Sequence, residues 1–222
     1  MEKNHKEIVA FLKKTKLFGE ISAKGLALIA EESKQNSFKK GGIVFSEGDS
    51  GETLHIIKDG KVKITKYTKE GRTKTLAILR EYDSFGEMAI LTKDVRSATV
   101  EAISNVVTIS ISKENFTRLI QDEPSIPMQI IKTLSQRLAK ADRDIKNLAL
   151  GDAKARVVCV LMDLEGDLDT TKFTHQEIAD LAGLTRETTT RTLAQLEGEG
   201  LISVKNKQFI IKDKVKMKDM CV

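Results

Sequence analysis

The feature that most constrains the fold is a series of short apolar runs, separated by glycine-containing turns, between residues 38 and 111. The runs lie at 43–45, 54–57, 62–67, 75–79 and 98–111. The turns between them are Gly41-Gly42, Glu47-Gly-Asp-Ser-Gly51, Asp59-Gly60 and Glu70-Gly71. Many short strands at regular spacing predict an antiparallel β-roll of the jelly-roll type. Because helical patterns flank the roll on both sides, the predicted fold class is α+β.

Helical periodicity precedes and follows the predicted roll. Residues 1 to about 36 place apolar side chains at steps of three and four, among them Ile8, Leu12 and Ile29. After the strands, Pro124 and Pro127 open a long helix that ends near Leu150. Gly151 follows as a helix stop and a candidate hinge.

The long helix carries an apolar seam with heptad spacing. Its positions are Ile131, Leu134, Leu138, Ala141, Ile145 and Leu148. The seam predicts a homodimer interface, although a helix packed on its own domain also needs an apolar stripe. The position of the helix between two predicted domains favours the dimer.

The C-terminal part predicts a winged helix-turn-helix, because two capped helices meet at a tight turn. Thr174 and Glu177 form a capping box, Gly183 suits the turn, and Thr185 caps the second helix. That helix has an inward face of Thr189, Thr192, Leu193 and Leu196 and an outward face of Arg186, Glu187, Thr190 and Arg191. The hairpin that follows brings lysines suited to DNA phosphates. The predicted DNA-binding residues are Thr185, Arg186, Glu187, Thr190, Arg191, Lys205 and Lys207.

Composition and charge leave the DNA interpretation to local geometry. The chain has 222 residues, 31% of them charged, which suits two globular domains. The net charge is +5, yet residues 150–222 contain 11 Lys and Arg against 12 Asp and Glu. The alternative for the second helix is therefore a solvated charged face. Since no apolar run has the length of a membrane span or a signal peptide, we expect a cytoplasmic protein without membrane contact.

The cysteines and histidines do not predict a metal, haem or iron–sulfur centre. Cys159 lies in an apolar run and is expected to be a small buried side chain, while Cys221 is expected in a mobile tail. His55 alternates with apolar neighbours on a predicted strand and is expected to be a cross-strand or solvent-facing residue. His175 begins the first helix of the helix-turn-helix and is expected on the surface.

Residues 84–100 combine the groups that a cyclic phosphodiester and its ribose require. Gly86 permits close backbone approach, and Glu87 can accept a hydrogen bond from a ribose hydroxyl. Arg96 supplies a planar donor fork, Ser97 adds a hydroxyl, and the turn at 88–91 presents N–H groups. The alternative is a β-roll turn with a surface Glu–Arg pair.

These motifs, FGEMAIL followed by RSATV, resemble the phosphate-binding cassette of cyclic-nucleotide-binding domains. With Arg-Glu-Thr-x-x-Arg at residues 186–191 in the helix-turn-helix, nearly the whole chain resembles the cyclic-AMP receptor protein/FNR family of bacterial transcription regulators. The resemblance implies a pocket of Leu76, Leu79, Gly86, Glu87, Met88, Ala89, Arg96, Ser97, Ala98, Arg137, Ala141 and Asp142. Where the family reads adenine with a Thr-Ser pair, this chain has Ala141 and Asp142, which puts the identity of the base in doubt.

The resemblance implies three segments: a ligand-binding roll at 1–123, a dimerisation helix at 124–150 and a DNA-binding domain at 151–222. The expected effector is a cyclic nucleotide, with cyclic AMP first, and the expected partners are a palindromic TGTGA-like site on double-stranded DNA and RNA polymerase. The main alternative is the same dimer with cyclic di-GMP, cyclic GMP or no small ligand. A regulatory subunit that acts on a protein, and an enzyme, are further alternatives. No nucleophile–base pair supports an enzyme.

Overall fold

In a computed structural model, which describes residues 2–67, 73–92, 94–165, 173–205 and 208–221, the chain forms two compact units. The units are Met1–Gln136 and Arg137–Val222. One long helix, Ser125–Leu150, contributes residues to both. The predicted α+β class with a β-roll, a long helix and a C-terminal helix-turn-helix is confirmed.

The first unit consists of an eight-stranded roll with helices before, within and after it, counted over the part of the chain that the structure describes. The helices are α1 Glu2–Leu12, α2 Ala23–Glu32, α3 Glu87–Thr92, α4 Lys113–Asp122 and the start of α5, Ser125–Leu150. The strands are β1 Lys34–Phe38, β2 Ile43–Phe45, β3 Thr53–Asp59, β4 Val62–Tyr67, β5 Thr73–Leu79, β6 Ser84–Phe85, β7 Thr99–Ala102 and β8 Val106–Ser112.

The strands pair into two four-stranded antiparallel sheets, in the orders β1-β8-β3-β6 and β2-β7-β4-β5. Neighbours in each sheet are mostly distant in sequence, as a jelly roll requires. β3 is central to the first sheet and pairs His55 with Ser110 of β8 and with Phe85 of β6. It therefore lies beside the residues that lead into α3.

The alternation of β3 side chains divides the first unit into two cores. Leu54 and Ile56 pack with the helices in a cluster that includes Leu12, Phe18 and Phe116. On the opposite face, Ile57 packs inside the roll with a second cluster. The other buried members of that cluster are Val62, Phe85, Val100, Ala102 and Val106.

The second unit contains α6 Ala153–Asp163, α7 His175–Ala182, α8 Arg186–Gly198, the hairpin β9 Ile202–Lys205 and β10 Gln208–Ile211, and α9 Lys214–Met220. Helix α6 packs against α7, α8 and α9 and is the common centre of the unit. Its side chains Val157, Val158 and Leu161 are fully buried. Burial of this apolar face stabilises the arrangement of the three surrounding helices.

The structure corrects the prediction for Cys221. A disulfide bond joins Cys159 of α6 to Cys221 at the C-cap of α9, with the two Cα atoms 5.2 Å apart. The expectation of a mobile tail was wrong, because α9 also buries Met217 completely. Cys159 itself is buried, as expected.

Other sequence predictions differ from the structure or fall outside the described residues. The N-terminal helical region ends at Glu32, and residues 34–36, expected to be helical, belong to β1. Pairing of Lys34 with Ser110 on β8 decides this, a contact between residues far apart in the sequence. The turn predicted at Glu70-Gly71 lies outside the described residues, as does Lys207 of the predicted wing.

Among the described residues, no helix is both long enough and apolar enough to cross a lipid bilayer. In the same part of the chain, no group of three or more His, Cys, Asp or Glu side chains is arranged to hold a metal ion.

Candidate effector site and DNA interface

The cassette turn in the first unit requires glycine at position 86. Gly86 has a φ of +90°, a left-handed backbone conformation that residues other than glycine rarely adopt. A Cβ atom there would lie 2.6 Å from Nη1 of Arg96 and 3.0 Å from the carbonyl oxygen of Thr53. The turn therefore brings its backbone directly against Arg96.

Arg96 is the centre of the candidate effector site. Its Nη1 donates to the Gly86 carbonyl at 2.8 Å, and its Nη2 donates to the Thr53 carbonyl at 2.8 Å and to the Thr53 hydroxyl at 3.1 Å. The guanidinium lies over the ring of Phe45, 4.0 Å from its centroid, which is a cation–π geometry. The residue is only 4% exposed. Arg96 is therefore a buried cation, held by hydrogen bonds from its terminal nitrogens and by the Phe45 ring against its guanidinium.

The electrostatic environment of Arg96 combines burial with three nearby carboxylates. Burial lowers the pKa of Arg96, and the carboxylates of Glu52, Asp49 and Glu87 oppose that change. The guanidinium remains charged at neutral pH. Its Nε is buried without a hydrogen-bond partner. Since a buried donor without a partner is costly, the site gains stability when an acceptor arrives.

The other predicted cassette residues divide between the interior and the surface. Glu87 and Ala89 are buried in α3, and Ala98 is buried in the segment after Arg96. Met88 is 48% exposed and Ser97 is exposed, with the Ser97 hydroxyl 3.8 Å from the sulfur of Met88. The structure thus brings Gly86 into contact with Arg96, and it places the Ser97 hydroxyl on the outer side.

Two other groups of predicted pocket residues lie away from the contacts of Arg96 described above, one on β5 and one on α5. Leu79 packs against the cluster inside the roll, while Leu76 is 44% exposed. Arg137, Ala141 and Asp142 lie on α5 within the second unit, with Ala141 and Asp142 exposed. Their roles toward a ligand stay predictions.

Three residues lie around Arg96 whose place there was not predicted from the sequence: Phe45, Thr53 and His55. His55 is 7% exposed, and its ring stacks on Phe85 with centroids 5.2 Å apart and an interplanar angle of 10°. Burial, and to a lesser degree the charge of Arg96, lowers the pKa of His55 to about 4. The expected cross-strand role holds through Thr108 on β8, but a solvent-facing position does not. The alternation of side chains along a strand could have revealed the burial of His55, because it places His55 on the same face as Ile57, inside the roll.

The turn of the helix-turn-helix is fixed by local caps and by one distant arginine. Thr174 and Glu177 form the predicted capping box, Gly183 ends α7 with a φ of +63°, and Thr185 caps α8. Arg156 of α6 donates to the carbonyls of residues 182 and 183. These bonds satisfy carbonyl groups that the end of α7 leaves free. This role of Arg156 was not predicted from the sequence.

Helix α8 has the two faces that its sequence predicts. Thr189, Thr192, Leu193 and Leu196 are buried against the unit, with Leu196 fully inaccessible. The outward residues Arg186, Glu187, Thr190 and Arg191 are all exposed. Nδ1 of His175 lies 2.9 Å from the Thr190 hydroxyl, so the first turn of α7 contacts the exposed face of α8. Lys205 is exposed at the end of β9.

The seam of α5 presents unpartnered apolar side chains. Leu134 is half-buried and packs against the core of the first unit. Other seam residues are strongly exposed, at 57% for Ile131, 64% for Leu138, 64% for Ile145 and 46% for Leu148. Ala141 is exposed between them. Such a contiguous apolar row is uncommon on the surface of a monomer.

Comparison with known proteins identifies both units. The profile of the family "Cyclic nucleotide-binding domain" matches residues 35–123, and that of "Crp-like helix-turn-helix domain" matches residues 155–220. The chain is also 30% identical, over 206 residues, to the CRP-like cAMP-activated global transcriptional regulator of Mycobacterium tuberculosis. That match covers 89% of this chain and 92% of the relative. The chain belongs to the Crp/Fnr family of transcription regulators.

Solved structures of Crp/Fnr-like proteins share the architecture. FixK2 of Bradyrhizobium japonicum superposes with a TM-score of 0.77 over 86% of this chain and 98% of its own, at 19% identity, which shows the fold alone. The c-di-GMP responsive global regulator CLP of Xanthomonas campestris gives a TM-score of 0.72 at 26% identity. It is matched over 87% of this chain and 100% of its own length.

Membership in the Crp/Fnr family gives the chain its general function. It is a cyclic-nucleotide-binding-domain protein with a DNA-binding helix-turn-helix, and its relatives are transcription regulators. The two neighbours named for their effectors differ, since one is cAMP-activated and the other c-di-GMP responsive. Family membership therefore does not identify the effector, which has to be inferred from the residues of the site.

Proposed function

We propose that this protein is a homodimeric transcription regulator that binds a cyclic mononucleotide, cyclic AMP first, in the β-roll of its first unit. Through α8 and the β9–β10 wing, each protomer binds one half of a palindromic TGTGA-like operator, at which the dimer acts on RNA polymerase. No catalytic step is part of the proposal.

The observation that carries the effector proposal is the unpartnered Nε of Arg96. A cyclic phosphodiester has one negative charge and two exocyclic oxygens, and either oxygen can accept from a guanidinium donor. Arg96 is desolvated by the roll, so its attraction to an anion is stronger than that of a surface arginine. The predicted contacts of Glu87 with the ribose hydroxyl and of Ser97 with the phosphate extend the same site.

The DNA proposal rests on the exposed face of α8. Arg186 and Arg191 have the donor geometry for guanine, and Glu187 can accept from the amino group of cytosine. Thr190 adds a hydroxyl on the same face. The capped first turn presents Thr185 and the backbone N–H groups around it toward the phosphate backbone. Lys205 and Lys207 complete the proposed phosphate contacts.

The dimer proposal rests on the exposed seam of α5. Burial of Ile131, Leu138, Ile145 and Leu148 against a second copy removes their apolar surface from water, at about 25 cal/mol per Å². Leu134 and Ala141 belong to the same proposed interface. A two-fold dimer presents two α8 helices to half-sites about one helical turn apart, which explains why the operator is expected to be palindromic.

The second candidate is the same DNA-binding dimer with cyclic di-GMP as effector. Two observations favour it: the likeness to the c-di-GMP responsive regulator CLP, and the residues Ala141 and Asp142. Ala141 cannot hydrogen-bond a base, whereas the Asp142 carboxylate can accept from guanine N–H groups as well as from the adenine amino group.

The deciding experiment is a thermal-shift titration of nucleotide-free protein with cyclic AMP, cyclic GMP and cyclic di-GMP. A ligand that binds only the folded state raises the unfolding midpoint with its concentration. We expect a shift with cyclic AMP that is absent in Arg96→Ala. Arg118→Ala is the matched control, because Arg118 makes a surface ion pair with Glu32 elsewhere in the first unit.

The outcomes separate the candidates. A shift with cyclic di-GMP alone supports the second candidate and rejects the first. If no cyclic nucleotide shifts the midpoint, the effector part of the proposal is wrong. Loss of sequence-selective DNA binding in Arg186→Ala then still tests the operator part by itself.

A further inference from the structure

A chain of polar contacts leads from Arg96 to a buried histidine. Nη2 of Arg96 donates to the Thr53 hydroxyl at 3.1 Å, and the same hydroxyl lies 2.9 Å from Nε2 of His55. At the other side of the ring, Nδ1 of His55 lies 3.3 Å from the Thr108 hydroxyl. The Thr53 hydroxyl thus forms a hydrogen-bonded link between His55 and the proposed effector site.

The donors among these contacts allow a consistent arrangement of protons. A guanidinium only donates, so the Thr53 oxygen accepts from Arg96, and its own single proton is free to point toward His55. With the Thr53 proton in that direction, Nε2 of His55 is the acceptor, and Nδ1 carries the ring proton and donates to Thr108. This assignment requires a neutral imidazole. The lowered pKa of His55, about 4, is consistent with a neutral ring at physiological pH.

An aromatic contact joins the same two residues on their apolar side. The ring of Phe45 supports the Arg96 guanidinium at 4.0 Å, and the His55 ring lies 6.1 Å from Phe45 between centroids. Phe85 stacks on the imidazole. The imidazole is thus held in place independently of any ligand, and its Nε2 lone pair has a constant direction.

We propose that His55 is a positioning residue for the effector site, acting through the Thr53 hydroxyl to hold Arg96 with its Nε–H directed at the anionic group of the ligand. This rests on the proposed function, in which that anion is the phosphate of a cyclic nucleotide.

The physical reason is the orientation of one hydroxyl proton. With Nε2 of His55 as acceptor, the Thr53 proton points away from Arg96 and leaves a lone pair toward Nη2. Without that acceptor, the hydroxyl rotates, and its proton competes with the N–H of Arg96 for the space between the two atoms. The guanidinium then loses one of three hydrogen bonds and samples more orientations, so its Nε–H meets the phosphate less well.

Three single variants test the proposal by isothermal titration calorimetry with the cyclic nucleotide that binds the wild type. His55→Phe keeps a stacking ring and removes the acceptor, and loss of one net hydrogen bond predicts affinity about three- to tenfold weaker. His55→Gln restores an acceptor at a similar distance, and its affinity is expected to stay within about twofold of wild type. Ser110→Ala is the control, because Ser110 pairs with His55 across β3 and β8 but bonds to Lys34 and Asn36 instead.

A double-mutant cycle tests the route through Thr53. Thr53→Val removes the hydroxyl and keeps the backbone carbonyl that Arg96 also uses. If His55 acts through that hydroxyl, His55→Phe has little further effect on affinity in the Thr53→Val background. Additive losses in the double variant overturn the proposed route.

A second readout does not depend on any ligand. In the ligand-free protein, the ¹⁵Nε–H signal of Arg96 is expected to show a rigid side chain in wild type and His55→Gln, and increased motion in His55→Phe. Unchanged Arg96 dynamics and affinity in folded His55→Phe would overturn the proposal. The same holds if affinity in all three variants simply follows their melting temperatures. If the wild type binds no cyclic nucleotide, the proposed function fails, and the Arg96 signal still decides whether His55 positions it.

Discussion

The two candidate sites use charged side chains in opposite ways. In the roll, Arg96 is 4% exposed, and its surroundings come from β2, β3 and the cassette turn. In the helix-turn-helix, Arg186, Glu187 and Arg191 are exposed on one helix, where their direction follows from its cap and its period. The candidate effector site thus lies in a low-dielectric interior, whereas the helix-turn-helix presents its charged groups to solvent.

This difference determines what each site requires from the rest of the fold. A buried cation needs partners for most of its donors, and these come from residues distant in sequence such as Thr53. An exposed side chain on a helix is solvated by water and needs only a stable backbone. Changes in the second unit should therefore alter backbone stability or direct contacts, while changes around Arg96 should alter both folding and ligand affinity.

The largest expected effect concerns the disulfide bond of the second unit. Its sequence separation of 62 residues corresponds to about 4 kcal/mol of loop-closure stabilisation at most. We expect Cys221→Ser, or reduction of the wild type, to lower the free energy of unfolding of the second unit and to leave the roll unchanged. Hydrogen exchange measured by mass spectrometry in denaturant reports each unit separately. Equal protection of α6 and α9 in oxidised wild type and Cys221→Ser would contradict it.

The second effect is a pH dependence that belongs to the roll. The pKa of His55 falls from 6.5 to about 4 on folding. Below pH 6.5 His55 is protonated in the unfolded chain but stays neutral in the folded chain. The free energy of unfolding therefore falls as the pH decreases toward 4. The loss amounts to about 3 kcal/mol over that range.

The measurement is chemical denaturation at several pH values in wild type and His55→Gln, since the difference isolates the histidine from other titrating groups. The charged group that acts on His55 is Arg96. The other contacts of His55 are neutral: Thr53, Thr108 and the rings of Phe45 and Phe85. Parallel pH profiles for the two proteins would show that His55 titrates normally.

The third prediction tests the exposed site by direct readout. Arg186→Ala is expected to reduce affinity for the cognate operator by about 1–3 kcal/mol and to relax selectivity at one base pair. Lys205→Ala is expected to weaken binding to all sequences and to reduce the salt dependence. Fluorescence anisotropy with operator and scrambled duplexes measures both. If Arg186→Ala weakens both duplexes equally, Arg186 contacts phosphate and does not read a base.

The smallest expected effect concerns the cap of α8. Thr185 accepts a hydrogen bond from the backbone N–H of Thr188 at 3.2 Å. Thr185→Ala is expected to reduce the stability of the second unit by about 1 kcal/mol, and Thr185→Ser to retain most of it. Denaturant midpoints of the three proteins provide the measurement. A Thr185→Ser protein as unstable as Thr185→Ala would mean that the methyl contact, and not the cap, matters.

The sequence alone determined the parts of this protein that depend on local rules. Glycine turns and short apolar runs predicted the antiparallel roll, and the capping residues Thr174 and Thr185 located both helices of the helix-turn-helix. The inward and outward faces of α8 followed from its helical period, with Thr189 and Thr192 buried despite their hydroxyl groups. Cap, period and turn preferences act over a few residues, so they are visible in a single sequence.

Only the tertiary structure decided the contacts that join distant segments. Strand β1 exists because it pairs with β8, and Arg156 of α6 reaches the turn after α7. The surroundings of Arg96 involve Thr53 and His55 from a strand more than 40 positions earlier, since Arg96 and Thr53 are 43 residues apart. The disulfide bond depends on the packing of α9 on α6. Each requires two elements to meet in space, and burial of apolar surface across the whole unit brings them together.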